Sequence, residues 1–153
     1  MARSLLFCIV EEAKPSGLKS ELAGDEAFET AFVGASEEDC QNLTLKRQDT
    51  AMFIEPNIIG IADARTARDD YILMQWYREG EGEHCPPYGV LPPKPNTWWD
   101  FRIHPEQADR VIAGLHFVES DVSCPRYFGR KEELTDENGV LDAAKADRMV
   151  NGD

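Results

Sequence analysis

Asp63, Arg65, Arg68, Asp69 and Asp70 crowd one short segment, a density of opposite charges that suits proton transfer or anion capture. A carboxylate desolvated in such a cluster can act as a general base, and a guanidinium fork holds an anionic substrate group. The same residue types also close a turn on themselves, with Asp oxygens accepting from backbone amides and arginines pairing locally. For so compact a segment that structural reading carries more weight. Arg102 and His104 alternate with Phe101 and Ile103, so the two polar side chains share one strand face and the apolar pair the other. Asp63 or Asp69 as acid/base, Arg102 as anion or oxyanion partner and His104 as proton shuttle form the fullest catalytic set in the chain.

A second group of candidates borders residues 79–97. His84 and Cys85 are adjacent there, but neighbours in an extended chain point apart, which works against a thiolate–imidazolium pair. A zinc site from His84, Cys85, His104 and Cys124 has suitable residue types and lacks the short ligand spacing that such sites use. Trp76, Tyr88, Trp98 and Trp99 surround the same stretch. Alternation along a strand sends Trp98 and Trp99 to opposite faces, one to the core and one to solvent, the loop or a partner. With Arg65 and His84, these four aromatic residues are the candidate ligand-binding set. His116 reads as a boundary residue on a helix. Asp136-Glu137-Asn138-Gly139 lacks the spacing and closing Glu of a calcium loop. There is no Gly-rich phosphate loop and no nucleophile elbow, so the sequence calls for no cofactor and no metal.

The elements that position these residues follow from hydrophobic pattern. Leu5–Val10 is an unbroken apolar run, as in a strand buried on both faces. Leu18, Leu22, Phe28 and Phe32 suggest helical turns within 17–32, and Asp39–Leu45 a short helix. Ala51–Glu55 and Ile58–Asp63 read as a strand interrupted at Pro56. Tyr71–Tyr77 and Trp98–Ile103 are strands by β propensity. His104-Pro105-Glu106 opens a helix whose apolar positions Val111, Ile112, Leu115 and Val118 carry it to about Val118. A further helix covers Phe128–Leu134, a turn Thr135–Gly139, and a short helix prone to fraying begins at Ala143 within 143–153. The expected architecture is α/β (α+β): one domain over 1–153, with a mixed sheet of about five strands flanked by helices. Residues 79–97 form a long loop, Gly- and Glu-rich first and then Pro-rich, holding five of the nine prolines.

Three segments of this chain, in order, resemble a family of small uncharacterised microbial α/β domains known only as a domain of unknown function. They are Ile61–Leu73 between two strands, with Asp63, Thr66 and Asp69 in an Asp-x-x-Thr-x-x-Asp turn, Phe101-Arg102-Ile103-His104-Pro105 at a strand-to-helix junction, and Asp136-Glu137-Asn138-Gly139-Val140-Leu141 near the end. The likeness covers about 50–150 and departs at 79–97 and 119–130. It implies a fold and no activity.

Composition narrows the function. The 153 residues carry 16 Lys plus Arg against 29 Asp plus Glu, a formal charge of −13. That field repels nucleic acid and anionic lipid. The longest apolar run is far below the roughly twenty residues of a membrane span, and no signal peptide is recognisable. Four cysteines without a Cys-x-x-Cys pair read as thiols of a reducing compartment, the cytoplasm. The expectation is a small acidic binding or regulatory module for a protein or small-molecule ligand. The alternative is a cofactor-independent isomerase, cyclase or hydrolase acting on an apolar or aromatic metabolite. The sequence decides neither enzyme status nor oligomeric state. Because Tyr88, Val90 and Leu91 would otherwise be an exposed apolar patch, 86–97 is expected to fold back over Trp98 or Trp99 near Arg102. Deleting 80–95 and closing the gap with a short turn should then leave a folded domain, by circular dichroism and thermal melting, that no longer binds or acts. Full function in the shortened chain would refute the lid.

Overall fold

A computed structural model describes residues 9–10, 18–19, 30–47, 57–78, 84–85, 89–90, 96–118, 122–123 and 125–151. The chain divides into two compact units, Met1–Ile59 and Gly60–Asp153. In the first unit, β1 (Ile9–Val10) and β2 (Leu18–Lys19) form an antiparallel ladder. Helix α1 (Glu37–Arg47) follows. Its entry is a reciprocal cap: Ser36 Oγ accepts from the Asp39 amide at 3.2 Å, and Asp39 Oδ2 accepts from the Ser36 amide at 2.9 Å. Of the helical turns expected within 17–32, Leu18–Lys19 is strand and most of the remainder lies outside the described residues. The expected strand at 51–55 lies wholly outside them, and that at 5–10 is described only at Ile9–Val10.

The main sheet runs in the order β3 (Ile58–Ile61), β4 (Ile72–Arg78), β7 (Thr97–Ile103), and the edge strand β3 spans the division between Ile59 and Gly60. Helix α2 (Thr66–Asp69) is a single turn between β3 and β4 (Ile72–Arg78). A two-residue ladder of β5 (His84–Cys85) with β6 (Gly89–Val90) comes next. Strand β7 (Thr97–Ile103) then pairs antiparallel with β4 along its whole length, Trp76 opposite Trp99 and Tyr77 opposite Trp98. The mixed α+β class holds; among the described residues the sheet has three antiparallel strands, and a sheet of about five is not supported. β1–β2 and β5–β6 are separate two-residue ladders. For β5–β6 the reason is chemical: Pro86 and Pro87 follow directly, and proline supplies no amide to a ladder.

β7 feeds α3 (Pro105–Phe117) through His104, whose Nδ1 accepts from the Glu106 amide at 3.3 Å while Pro105 starts the helix. Ala108, Val111 and Ile112, at helical spacing, are buried. A π-helical turn (Pro125–Gly129) and then α4 (Lys131–Leu134) replace the single helix expected at 128–134. The turn Asp136–Gly139 leads through Leu141 to the last helix, α5 (Ala143–Asn151).

Phe128 on the π-helical turn is the hub of the aromatic core. It stacks on Trp76 at 5.5 Å and tilts against Phe101 at 5.3 Å and Trp99 at 6.2 Å. Its neighbour Tyr127 is 1% exposed, and burial raises the pKa of its phenol. The hydroxyl end of the ring lies against α3 at Gly114, where an added Cβ would stand 2.4 Å from the hydroxyl and 3.2 Å from two ring carbons. Gly-to-Ala within an exposed helix stabilises by about 0.5–1 kcal/mol. Here the sign should reverse, because a buried ring has nowhere to retreat. Gly114→Ala is expected to destabilise the second unit by about 1–3 kcal/mol in urea unfolding. A gain in stability would show that Tyr127 is free to move.

Candidate functional site

The charged turn at 63–70 is closed by its own side chains. Asp63 Oδ1 accepts from the amides of Arg65 at 3.0 Å and Thr66 at 2.9 Å, and the Thr66 hydroxyl returns an acceptor to the Asp63 amide at 3.1 Å. Asp70, at φ 62°, ends α2 in the left-handed region that Asp tolerates. Arg65 Nε donates to Asp69 Oδ2 at 2.9 Å, and Arg68 Nε to Asp69 Oδ1 at 2.7 Å.

Arg102 reaches the same turn from β7. Its guanidinium meets both oxygens of Asp63, Nη1 to Oδ1 at 3.1 Å and Nη2 to Oδ2. The third segment is tied in by backbone: the Arg102 amide donates to Gly139 O at 3.3 Å, and the Leu141 amide donates to Arg102 O at 2.7 Å. Arg65 Nη2 closes the circuit on Asn138 O at 2.7 Å. The three motifs singled out in the sequence, 63–69, 101–105 and 136–140, therefore meet at one junction.

This arrangement decides what the carboxylates can do. The Arg102 hydrogen bonds hold Asp63 well below the ordinary carboxylate range, reinforced by the Thr66 amide. Asp69 is lowered to about 2, chiefly by Arg68 and then Arg65. Both stay ionised and engaged at neutral pH, and neither is poised to take a proton there. Arg102, 14% exposed, is committed to Asp63 rather than to an incoming anion. His104 spends Nδ1 on the helix cap, leaving the proton of the neutral ring on Nε2, and its ring stands edge-on to Tyr71 at 6.1 Å.

The aromatic candidates are distributed over the sheet. Trp76 and Trp99 pack on Phe128, whereas Trp98 leans on Tyr77 at 5.2 Å, so the two consecutive tryptophans do part to opposite faces. Of the loop, β6 runs beside the π-helical turn that carries Phe128. The side chains of His84 and Cys85, and all of Tyr88 and Cys124, lie outside the described residues. Among the described residues, no cluster of three or more His, Cys, Asp or Glu could hold a metal ion, and no helix is long and apolar enough to cross a membrane.

Next to the junction the second unit opens into a cleft of about 530 Å³. Tyr71, His104 and Gln107 form one side, and Glu133–Asp136, Val140–Asp142 and Lys145 the other. His104 is the single sequence candidate it includes. Gln107, Asp142 and Lys145 carried no signal of their own, since each is an ordinary polar residue of an amphipathic helix or its cap. Searches of protein-family models, curated proteins and solved structures returned no match to this chain.

The junction makes a pH-dependent prediction. Asp63 has a lower pKa folded than unfolded, so its contribution to stability is complete above the unfolded value near 3.8 and is lost as pH falls towards the folded value. Asp63→Asn should cost about 1–3 kcal/mol at pH 7, because Arg102 loses its ionic partner and the turn its acceptor. The gap between variant and parent in urea unfolding should narrow below pH 4. A gap that is constant with pH would mean that the charge of Asp63 contributes nothing.

Proposed function

We propose that the chain is a non-catalytic binding or regulatory module for a small ligand or protein partner. The observation that carries this reading is the bidentate Arg102–Asp63 pair. It consumes the best acid/base candidate and the best anion-holding group together. An enzyme acting without a cofactor would need a carboxylate or imidazole adjusted towards neutral pH, whereas Asp63 and Asp69 are driven the other way. The cleft beside the junction offers a concave surface of ordinary ligand size. The likeness to the microbial α/β domains implies a fold and leaves this choice untouched.

Equilibrium ultrafiltration of the full chain with a metabolite extract, read by mass spectrometry, tests the proposal. One chemical class should be retained by the protein, with no compound disappearing over time. Loss of a compound that stops in Asp69→Asn, at an unchanged melting temperature, would overturn the reading in favour of the cofactor-independent enzyme. An extract from which nothing is retained, together with no co-purifying protein, would also count against it.

A further inference from the structure

Side-chain oxygens close the entries of α1, α2 and α5. Ser36 Oγ accepts from the Asp39 amide, Asp63 Oδ1 from the amides of Arg65 and Thr66, and Asp142 Oδ1 from the Lys145 amide at 2.9 Å. A hydroxyl or a carboxylate keeps that capacity across the neutral range. The longest described helix, α3, is opened instead by an imidazole, His104 Nδ1 accepting from the Glu106 amide at 3.3 Å. Pro105 has no amide, and the Gln107 amide is taken by His104 O at 2.9 Å. Of the first three helical positions, only Glu106 therefore depends on the ring.

Nδ1 can accept only while the ring is neutral. Histidine is the side chain that ordinarily gains its proton between about pH 5 and 8, and both ring nitrogens are then donors. A protonated Nδ1 and the Glu106 amide would be two donors face to face, so the ring must turn or the first turn must open. An acceptor for the charged ring stands on the same turn: Glu106 Oε2 is 3.8 Å from Nδ1, on a side chain exposed enough to close the gap. The other groups around the ring are engaged elsewhere or more remote. Tyr71 meets it edge-on, and Arg102, two residues back on β7, is paired with Asp63. Across the cleft stand Glu133, answered by Arg130, Asp136, which feels Arg65, Asp142 on its helix cap, and Lys145, which donates to Glu133 O. Among the described residues, Glu106 is the one carboxylate within ion-pair reach of the imidazole.

We propose that the entry of α3 is a proton-operated latch: neutral His104 caps the helix, and protonation hands Nδ1 from the Glu106 amide to the Glu106 carboxylate. The hydrogen bond from the Glu106 amide to Nδ1 breaks, one from the protonated Nδ1 to Glu106 Oε2 forms, and the proton comes from solvent. Tyr71, His104 and Gln107 form one side of the cleft, so the change resets that side. The inference goes beyond the binding-module reading and does not depend on it.

Titration of the ¹³C,¹⁵N-labelled full chain from about pH 8 to about pH 5, followed by NMR, tests the proposal. At the alkaline end the His104 ring should be the Nε2–H tautomer, with Nδ1 the unprotonated nitrogen. On acidification the amide and the carboxylate carbon of Glu106 should shift with the His104 ring at a common midpoint. Solvent exchange of the Glu106 amide, corrected for pH, should rise about threefold or more as the cap is lost. His104→Asn supplies a cap that cannot titrate, and should abolish both shifts and the rise in exchange. A ring that carries its proton on Nδ1 at the alkaline end would overturn the latch. So would a Glu106 amide or carboxylate that ignores the ring, or an undiminished response in His104→Asn. The metabolite-extract experiment judges the binding module separately, since no ligand enters this titration.

Discussion

Arg102 joins three stretches of chain that are far apart in sequence, and the second unit is organised around that one residue. Its backbone extends β7 sideways to the 139–141 segment, and its side chain crosses to the turn that links β3 to β4. A guanidinium suits the position because two parallel donors match two carboxylate oxygens and fix an angle as well as a distance. A lysine would supply charge without that orientation. The pair is only partly withdrawn from water, Asp63 being 33% exposed, so the desolvation penalty of a fully buried ion pair is avoided. Two backbone hydrogen bonds and one forked ion pair thus hold the end of the sheet, and the cleft wall at Val140–Asp142 is fixed as a consequence.

On the helical side the constraint is steric. Tyr127 lies against Gly114, and the π-helical turn brings Phe128 onto Trp76, Trp99 and Phe101 at once. An ordinary α-helix advances side chains by a fixed 100°, and the wider turn re-aims consecutive aromatic residues towards different partners. Asp147 on α5 then ties the arrangement together, pairing with Arg110 from α3 and lying 3.5 Å from both Arg126 Nη1 and the Tyr127 hydroxyl. The aromatic layer and the ionic junction serve opposite faces of β7: Trp99 and Phe101 lie on one, Arg102 on the other.

Legibility in the sequence followed the range of the interactions. β4, β7 and α3 could be read closely, because alternation, β propensity and the His104-Pro105 entry are local signals that burial later reinforces. The self-closing turn at 63–70 was also local, since Asp63 and Thr66 are three residues apart. What could not be read was pairing at distance. Nothing in Asp63 or Arg102 alone announces a partner 39 residues away. The number of strands was hard to read for a similar reason: the apolar run at 5–10 looks like a strand, but joining a particular sheet depends on which edge offers unpaired amides. The π-helical turn was missed because Phe128–Leu134 has a helical pattern that does not reveal an interruption at Arg130.

The residues best suited to chemistry by type turned out to be those the fold needs most, and the two facts are connected. Opposite charges one to four residues apart find one another before any ligand can, since the cost of closing so short a loop is small. A dense run of Asp and Arg is therefore more readily a structural clamp than a vacant site. At the cleft, by contrast, polar groups arrive singly from separate elements, each placed by a helix turn, a cap or a loop. Gln107 comes from the first turn of α3, Asp136 from the turn after α4, and Asp142 from the cap of α5. Their spacing in sequence carries no pattern; the Arg102 junction and the Thr135–Leu141 bridge bring their elements to one cleft.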